Sequence, residues 1–263
     1  MTKTIYFAGM NHLAIDIGNT DTVFGYWTEK AELPKVLRIS TKRFVSNKDQ
    51  ASLSFTAGIN DWEISEPVDI ILSSVTPAAT ETVYSLVKFH LKQEIKKLDK
   101  TTFFRLPLEI ISPDEIGTDL VANALASHII YRGDSIIVDF GTAMSFTTID
   151  KNGKILGVSI APGLQTAIKS LTSNAAQLFE VPLIMPASAL GQNTEHAIQA
   201  GIMYGYDGLV RGIIQAQEKE LGIKLNIIAT GGLSQKIPTL KEIVHHYEPH
   251  LTLTGLRLAC NYL

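Results

Sequence analysis

Twice in this chain an apolar run of strand length ends on aspartate and passes through glycine to a small hydroxyl residue. The first copy is Leu13-Ala14-Ile15-Asp16-Ile17-Gly18-Asn19-Thr20 and the second is Ser135-Ile136-Ile137-Val138-Asp139-Phe140-Gly141-Thr142-Ala143. A further apolar segment follows each closely, Val23 to Tyr26 and Met144 to Ile149, as in a hairpin whose turn begins at the aspartate. An ordinary strand-ending turn accounts for either copy alone. Two copies in matching contexts point to two similar half-domains that bring both turns to a shared cleft.

The chemistry of such a turn suits phosphate. Glycine lets the main chain approach an anion, successive N–H groups form an anion-binding concavity, and Thr or Asn side chains donate further hydrogen bonds. An aspartate beside that cradle repels phosphate unless a cation lies between carboxylate and phosphate oxygens. A third element, Ile227-Ile228-Ala229-Thr230-Gly231-Gly232-Leu233-Ser234, runs a strand into paired glycines. It suits close passage by a flat ligand such as a purine, and it is equally what a plain strand-to-helix turn looks like.

The rest of the chain alternates strand and helix signals. Strand-length apolar runs lie at Leu13 to Ile17, Val68 to Leu72, Ser135 to Val138, Ile155 to Ile160 and Leu225 to Ala229. Helical periods lie between them, from Pro77 to Val87, with proline suited to a first turn, and from Ile116 to Tyr131. This is the pattern of an α/β protein with mixed sheets. No low-complexity linker separates the halves, and the boundary is placed at 116/117, giving half-domains 1–116 and 117–263. At 263 residues with 45% hydrophobic content, the chain can bury a sizeable core. Its formal net charge of -3 gives no basic field for nucleic acid or an anionic membrane, and no apolar run reaches the length of a span. The single cysteine, Cys260, rules out an intrachain disulfide, so a cytoplasmic protein is expected. The patterned chain starts at Leu13, and residues before Met10 read as an extension.

The ordered set DIGNT, DFGTA and TGG resembles the two phosphate motifs and the adenosine motif of the actin-like ATPase and sugar kinase superfamily. More specifically, the chain resembles the type III pantothenate kinases. The matching segments are LAIDIGNT, SSVTP at Ser73 to Pro77, SPDEIGTDLVANALA at Ser112 to Ala126, VDFGTA, LGVSIAPGL at Leu156 to Leu164, GQNTEHAIQAG at Gly191 to Gly201 and LTLTGL at Leu251 to Leu256. They run in order over nearly the whole chain.

The resemblance implies two ribonuclease-H-like half-domains around a central nucleotide cleft, and ATP-dependent phosphorylation of pantothenate, the first step of coenzyme A biosynthesis. It implies that Asp16, Ile17, Gly18, Asn19, Thr20, Asp21, Thr22 and Val23 line the ATP phosphates, with Asp16 near magnesium. Thr142 contacts ATP, as do Gly231 and Gly232, and Asp139 binds a monovalent cation, potassium or ammonium. Gly117, Thr118, Asp119 and Leu120 lie at pantothenate, with Asp119 as catalytic base, and Thr194 is a further substrate contact in a homodimer. Without the resemblance Asp119 also reads as a helix-capping residue. The chain departs from the family in two places. Leu120 stands where an arginine is common, and Ile110 or Ile111 where a tyrosine is common, which bears on substrate choice rather than on phosphate binding. A kinase for another small hydroxylated substrate, or a nucleotide-binding regulator without turnover, are the alternative readings.

Three other features have plainer readings. His245, His246 and His250 lack carboxylate or cysteine neighbours at metal-ligand spacing and read as surface residues. The run Lys92 to Lys100 interleaves both charges and reads as a solvated helix face. Cys260 reads as a packed thiol.

Overall fold

The computed structural model describes residues 10–64, 67–175 and 177–263; the residues before Met10 lie outside them. The first sheet is built from β1 (Asn11–Ile17), β2 (Asp21–Trp27), β3 (Lys35–Ser40), β4 (Val68–Ser74) and β5 (Ile95–Leu98), in the order β3-β2-β1-β4-β5. The second uses β6 (Ser135–Phe140), β7 (Ala143–Ile149), β8 (Ile155–Pro162), β9 (Asn226–Thr230) and β10 (His246–Tyr247), in the order β10-β9-β6-β7-β8. Both have the same pairing. The opening strand of each is antiparallel to the next and parallel to the fourth, and the outer neighbours continue each sense. Two mixed five-stranded sheets of one topology are the two similar halves that the repeated motif pointed to, and the ribonuclease-H-like pair that the resemblance implied.

Compact packing divides the chain differently from the boundary expected at 116/117. One unit runs to Tyr131 and takes back Leu251–Leu263; the other is Arg132–His250. The reason is α4 (Thr118–Ile130), which packs on β4 and on α7 (Leu251–Ala259), while α7 itself packs on β1 and β4. α4 is buried continuously from Leu120 to Ser127, as befits a helix covered on more than one side.

In the first unit, the central strands β1 and β4 are largely buried on both faces because helices cover both. The side chains of Leu13, Ile15 and Ile17 join a core with Phe24, Phe44, Phe55, Ile70, Leu72 and Val83. This is the face of α1 (Thr41–Ser46), α2 (Lys48–Asn60) and α3 (Pro77–Leu91). α3 starts with proline in its first turn and buries Ala79, Val83, Val87 and Leu91, one residue in every turn. It ends at Lys92 in the left-handed conformation (φ 53°), and β5 begins three residues later. The charged run Lys92 to Lys100 is therefore an edge strand and its flanks rather than a helix face, a placement that suits lysines.

In the second unit, Ile136, Val138 and Phe140 pack with Met203, Tyr206, Val210 and Ile214 of α6 (Thr194–Leu221). The side chain of Asn193 caps this helix by accepting from the His196 N–H at 2.8 Å, and Gly222 (φ 69°) ends it. A shorter helix, α5 (Leu164–Asn174), follows β8.

Candidate active site

Alternation along β1 decides which residues meet. Ile15 and Ile17 point into the core shared with α1 to α3, so Asp16 points to the opposite face. There Asp16 is in register with Ser73 of β4, whose hydroxyl donates to the Thr118 hydroxyl at 2.7 Å. Thr118 is the first residue of α4 and Asp119 the second. One serine thus ties the end of the strand carrying Asp16 to the helical turn carrying Asp119. Both carboxylates are half-buried.

Asp119 is not the cap of its helix; that position belongs to Gly117. Its Oδ1 accepts from the Leu120 N–H at 2.9 Å. Burial pushes the Asp119 carboxyl above the usual carboxylate range, partly offset by main-chain N–H groups. The side chain is held so close to the turn that a methyl group on Gly117 would meet Oδ1 at 2.4 Å. A carboxylate with raised proton affinity at the start of a helix is suited to accept a proton from a hydroxyl group.

The loop from Gly18 to Asp21 is tightly closed. The Gly18 N–H donates to the Asp21 carbonyl at 3.0 Å, and its own carbonyl accepts from the hydroxyls of Thr41 at 2.8 Å and Thr76 at 3.1 Å. Asn19 and Thr20 are exposed at its tip, and Thr22 is buried against Thr41 (3.0 Å between hydroxyls). Asp21 faces outward with Arg38 at 3.2 Å, and Val23 is buried in the second strand. The sequence reading missed Ser73 as the link to α4, and Thr76 and Thr41 as supports of this loop. SSVTP carried a signal for the first two; nothing near Thr41 did.

The second unit gathers its motif residues at the corresponding strand ends. Asp139 of β6 is in register with Thr230 of β9. Gly231, at φ 88°, passes so close that a side chain there would meet Asp139 Oδ1 at 2.6 Å and the Phe140 main chain at 2.8 Å, so only glycine fits. The segment after TGG forms turns rather than a helix. The Thr142 carbonyl accepts from the Gly163 N–H at 3.0 Å and the Thr166 hydroxyl at 2.6 Å. Gly163, in the segment LGVSIAPGL, lies against the Gly141 carbonyl, where a methyl group would come within 2.1 Å. Thr142 and Gly232 are exposed. Thr194 opens α6 on an exposed turn, and no described contact joins it to Asp139 or Thr142. Of the three histidines, His245 accepts from the Ile227 N–H through Nδ1 at 2.9 Å.

Both strand-end carboxylates are donors of the type that hard cations take. Asp16, a hard carboxylate at a loop edge, is what magnesium takes from protein when phosphates and water fill its remaining positions. Asp139 Oδ1 lies close against the main chain at Gly141 and Gly231, and its carboxylate is a donor of the type a hard monovalent cation takes.

Comparison with known proteins agrees with this geometry. The family model for type III pantothenate kinase matches residues 12–216. A curated type III pantothenate kinase from Moorella thermoacetica is 35% identical over 94% of this chain and 97% of its own length. One from Thermomicrobium roseum is 37% identical over 94% and 95%. Among solved structures, a 2-dehydro-3-deoxygalactonokinase protein from Sinorhizobium meliloti shares the fold, with a TM-score of 0.58 at 11% identity over 95% of each chain. With its repeated sheet, its two aspartate turns and relatives that match it over 94% of its length, the chain belongs to the type III pantothenate kinase family.

Proposed function

We propose that this protein transfers the γ-phosphoryl group of ATP to the terminal hydroxyl of pantothenate, the first step of coenzyme A biosynthesis. The observation that carries the reading is the Ser73–Thr118 hydrogen bond, which sets Asp119 beside the strand end of Asp16. A primary alcohol is a poor nucleophile. Asp119 orients it and accepts its proton as the phosphoryl group moves, and its raised proton affinity favours that acceptance. Gly117, Thr118 and Leu120 surround the substrate hydroxyl, while the loop from Asp16 to Val23 receives the phosphates through main-chain N–H groups and the exposed Asn19 and Thr20.

Asp16 would hold magnesium, which would supply charge neutralisation at the phosphates. Asp139 would hold potassium or ammonium, while Thr142 would contact ATP and Gly231 and Gly232 would pass the adenosine. Most of the acceleration in such a transfer comes from positioning and charge neutralisation rather than from the base. That places weight on the glycines that fix the two turns.

The protein works as a homodimer in the cytoplasm, with Thr194 at the substrate. Support for pairing lies on the second unit. Gly201, Gly205, Gly208 and Gly212 form an exposed stripe along α6, opposite its buried residues Met203, Tyr206, Val210 and Ile214. β8, an edge strand, exposes Val158 and Ile160.

The test is ATP-dependent phosphorylation of pantothenate by the purified protein in potassium and in sodium. Turnover that requires potassium, and that Asp119→Asn abolishes, is the expected result. ATP binding without turnover in either salt would overturn the pantothenate assignment and favour another acceptor or a regulator.

A further inference from the structure

The face of β1 that carries Asp16 at one end carries His12 at the other, about 13 Å back along the strand at 3.3 Å per residue. His12 is in register with Asp69 of β4. Cys260, one residue past α7, completes the group: a histidine nitrogen, a carboxylate oxygen and the sulfur lie within 4.8 Å of one another. His12 and Cys260 are buried, whereas the Asp69 side chain is 20% exposed. Phosphoryl transfer uses none of the three.

Nitrogen, oxygen and sulfur drawn from three separate segments are the donor set of a borderline-soft divalent cation, not of magnesium or potassium. We propose that His12, Asp69 and Cys260 form a further, independent metal site, for zinc or a cation of its class. Water entering on the exposed side of Asp69 is the fourth ligand. Bonds of about 2.0–2.3 Å in a tetrahedral centre put ligand atoms roughly 3.3–3.8 Å apart, so the three close in by about 1.5 Å or less.

The site already receives a cation. The Lys96 ammonium bonds Asp69 Oδ1 at 3.0 Å and Oδ2 at 3.1 Å, and the Cys260 carbonyl at 2.9 Å. Its side chain is 31% exposed, so it can turn out to solvent and keep its charge there. On ligation the Cys260 thiol releases its proton to solvent and the sulfur lone pair forms the bond to the metal. Burial, with the Asp69 carboxylate, pushes the Cys260 thiol up to about 12, and the Lys96 and Arg257 cations offset this only in part, so it is the charge of the bound metal itself that takes the proton off the thiol.

The whole protein is titrated with cobalt(II) chloride with magnesium in excess. Cys260 is the only cysteine in the chain, so a thiolate-to-cobalt charge-transfer absorption reports this site and no other. The expected result is a band that saturates at one equivalent, disappears on adding zinc chloride and is absent in Cys260→Ser. Asp69→Asn should weaken binding, and Lys96→Met should tighten it about tenfold, the scale of changes beside a metal site. Cobalt binding without the band would overturn the proposal, as would no binding by protein whose thiol titrates as free after unfolding. An affinity unmoved by both Asp69→Asn and Lys96→Met would do the same.

Discussion

Asp119 pays for its position. A carboxylate pushed above its ordinary pKa is one whose charged form is disfavoured by the fold. This penalty is absent below the unfolded-state pKa, grows as pH rises from there through the folded-state pKa, and is complete above it. At neutral pH, Asp119→Asn should therefore leave the melting temperature unchanged or raise it while lowering kcat about 10²- to 10⁴-fold, the range for loss of a general base. Thermal denaturation beside a phosphorylation assay checks both halves, and a variant that loses stability along with turnover would argue for a structural role. The base must be ionised to work. The acid limb of the wild-type kcat profile should accordingly fall at a pH above the ordinary aspartate value of about 3.9. Gly117 offers a subtler test. In Gly117→Ala the new methyl would meet Asp119 Oδ1 at 2.4 Å, and the side chain, not the main chain, gives way. Displacement on the scale of an ångström can cost about a hundredfold in rate, so kcat should drop sharply while circular dichroism and melting stay near wild type.

At the scale of elements, α7 shows what a sequence leaves unsaid. The strands β1, β4, β6, β8 and β9 are legible as apolar runs, and α3 and α4 as helical periods, because burial on a fixed face writes itself locally. β3 and β5 are not legible. Most of β3 is solvent-exposed, and β5 carries lysines in the middle of an edge. The Asp-x-Gly turns are readable because they recur, and the GTD turn only through the family resemblance, since its place at a helix start reads as capping by itself. The hydrogen bond from Ser73 to Thr118 spans 45 residues, and the His12, Asp69 and Cys260 group spans nearly the whole chain; no local pattern records either. The return of α7 to the first unit is of the same kind, and it depends on Gly255. A methyl group there would stand 1.9 Å from the Ala122 carbonyl of α4. Since main chain rather than a flexible side chain is struck, Gly255→Ala should force the helices apart and destabilise by about 1–3 kcal/mol, the usual cost of overpacking. A fall in the urea midpoint with an unchanged slope is the expected observation.

At the scale of the whole molecule, one topology used twice gives each unit an aspartate at the end of its first strand, and the two copies have diverged in what surrounds them. Asp16 neighbours Ser73 and the start of α4, whereas Asp139 neighbours Thr230 and the glycines of two turns. The second unit also carries the surface on which we place self-association. Helices approach one another to a distance set by the side chains between them, and the stripe Gly201, Gly205, Gly208 and Gly212 sets almost none. A Cβ built at Gly205 meets nothing within 4 Å, so Gly205→Glu fits the isolated chain and improves helix propensity by about 0.8 kcal/mol. A loss of function in this variant therefore does not come from a weaker α6. Sedimentation should show the wild type as a dimer and the variant as a monomer with unchanged helicity. If Thr194 serves the substrate site only in the pair, the KM for pantothenate should rise while ATP still binds. A variant that sediments as the wild type does would place the interface elsewhere, and the exposed edge at Val158 and Ile160 would be the surface to charge next.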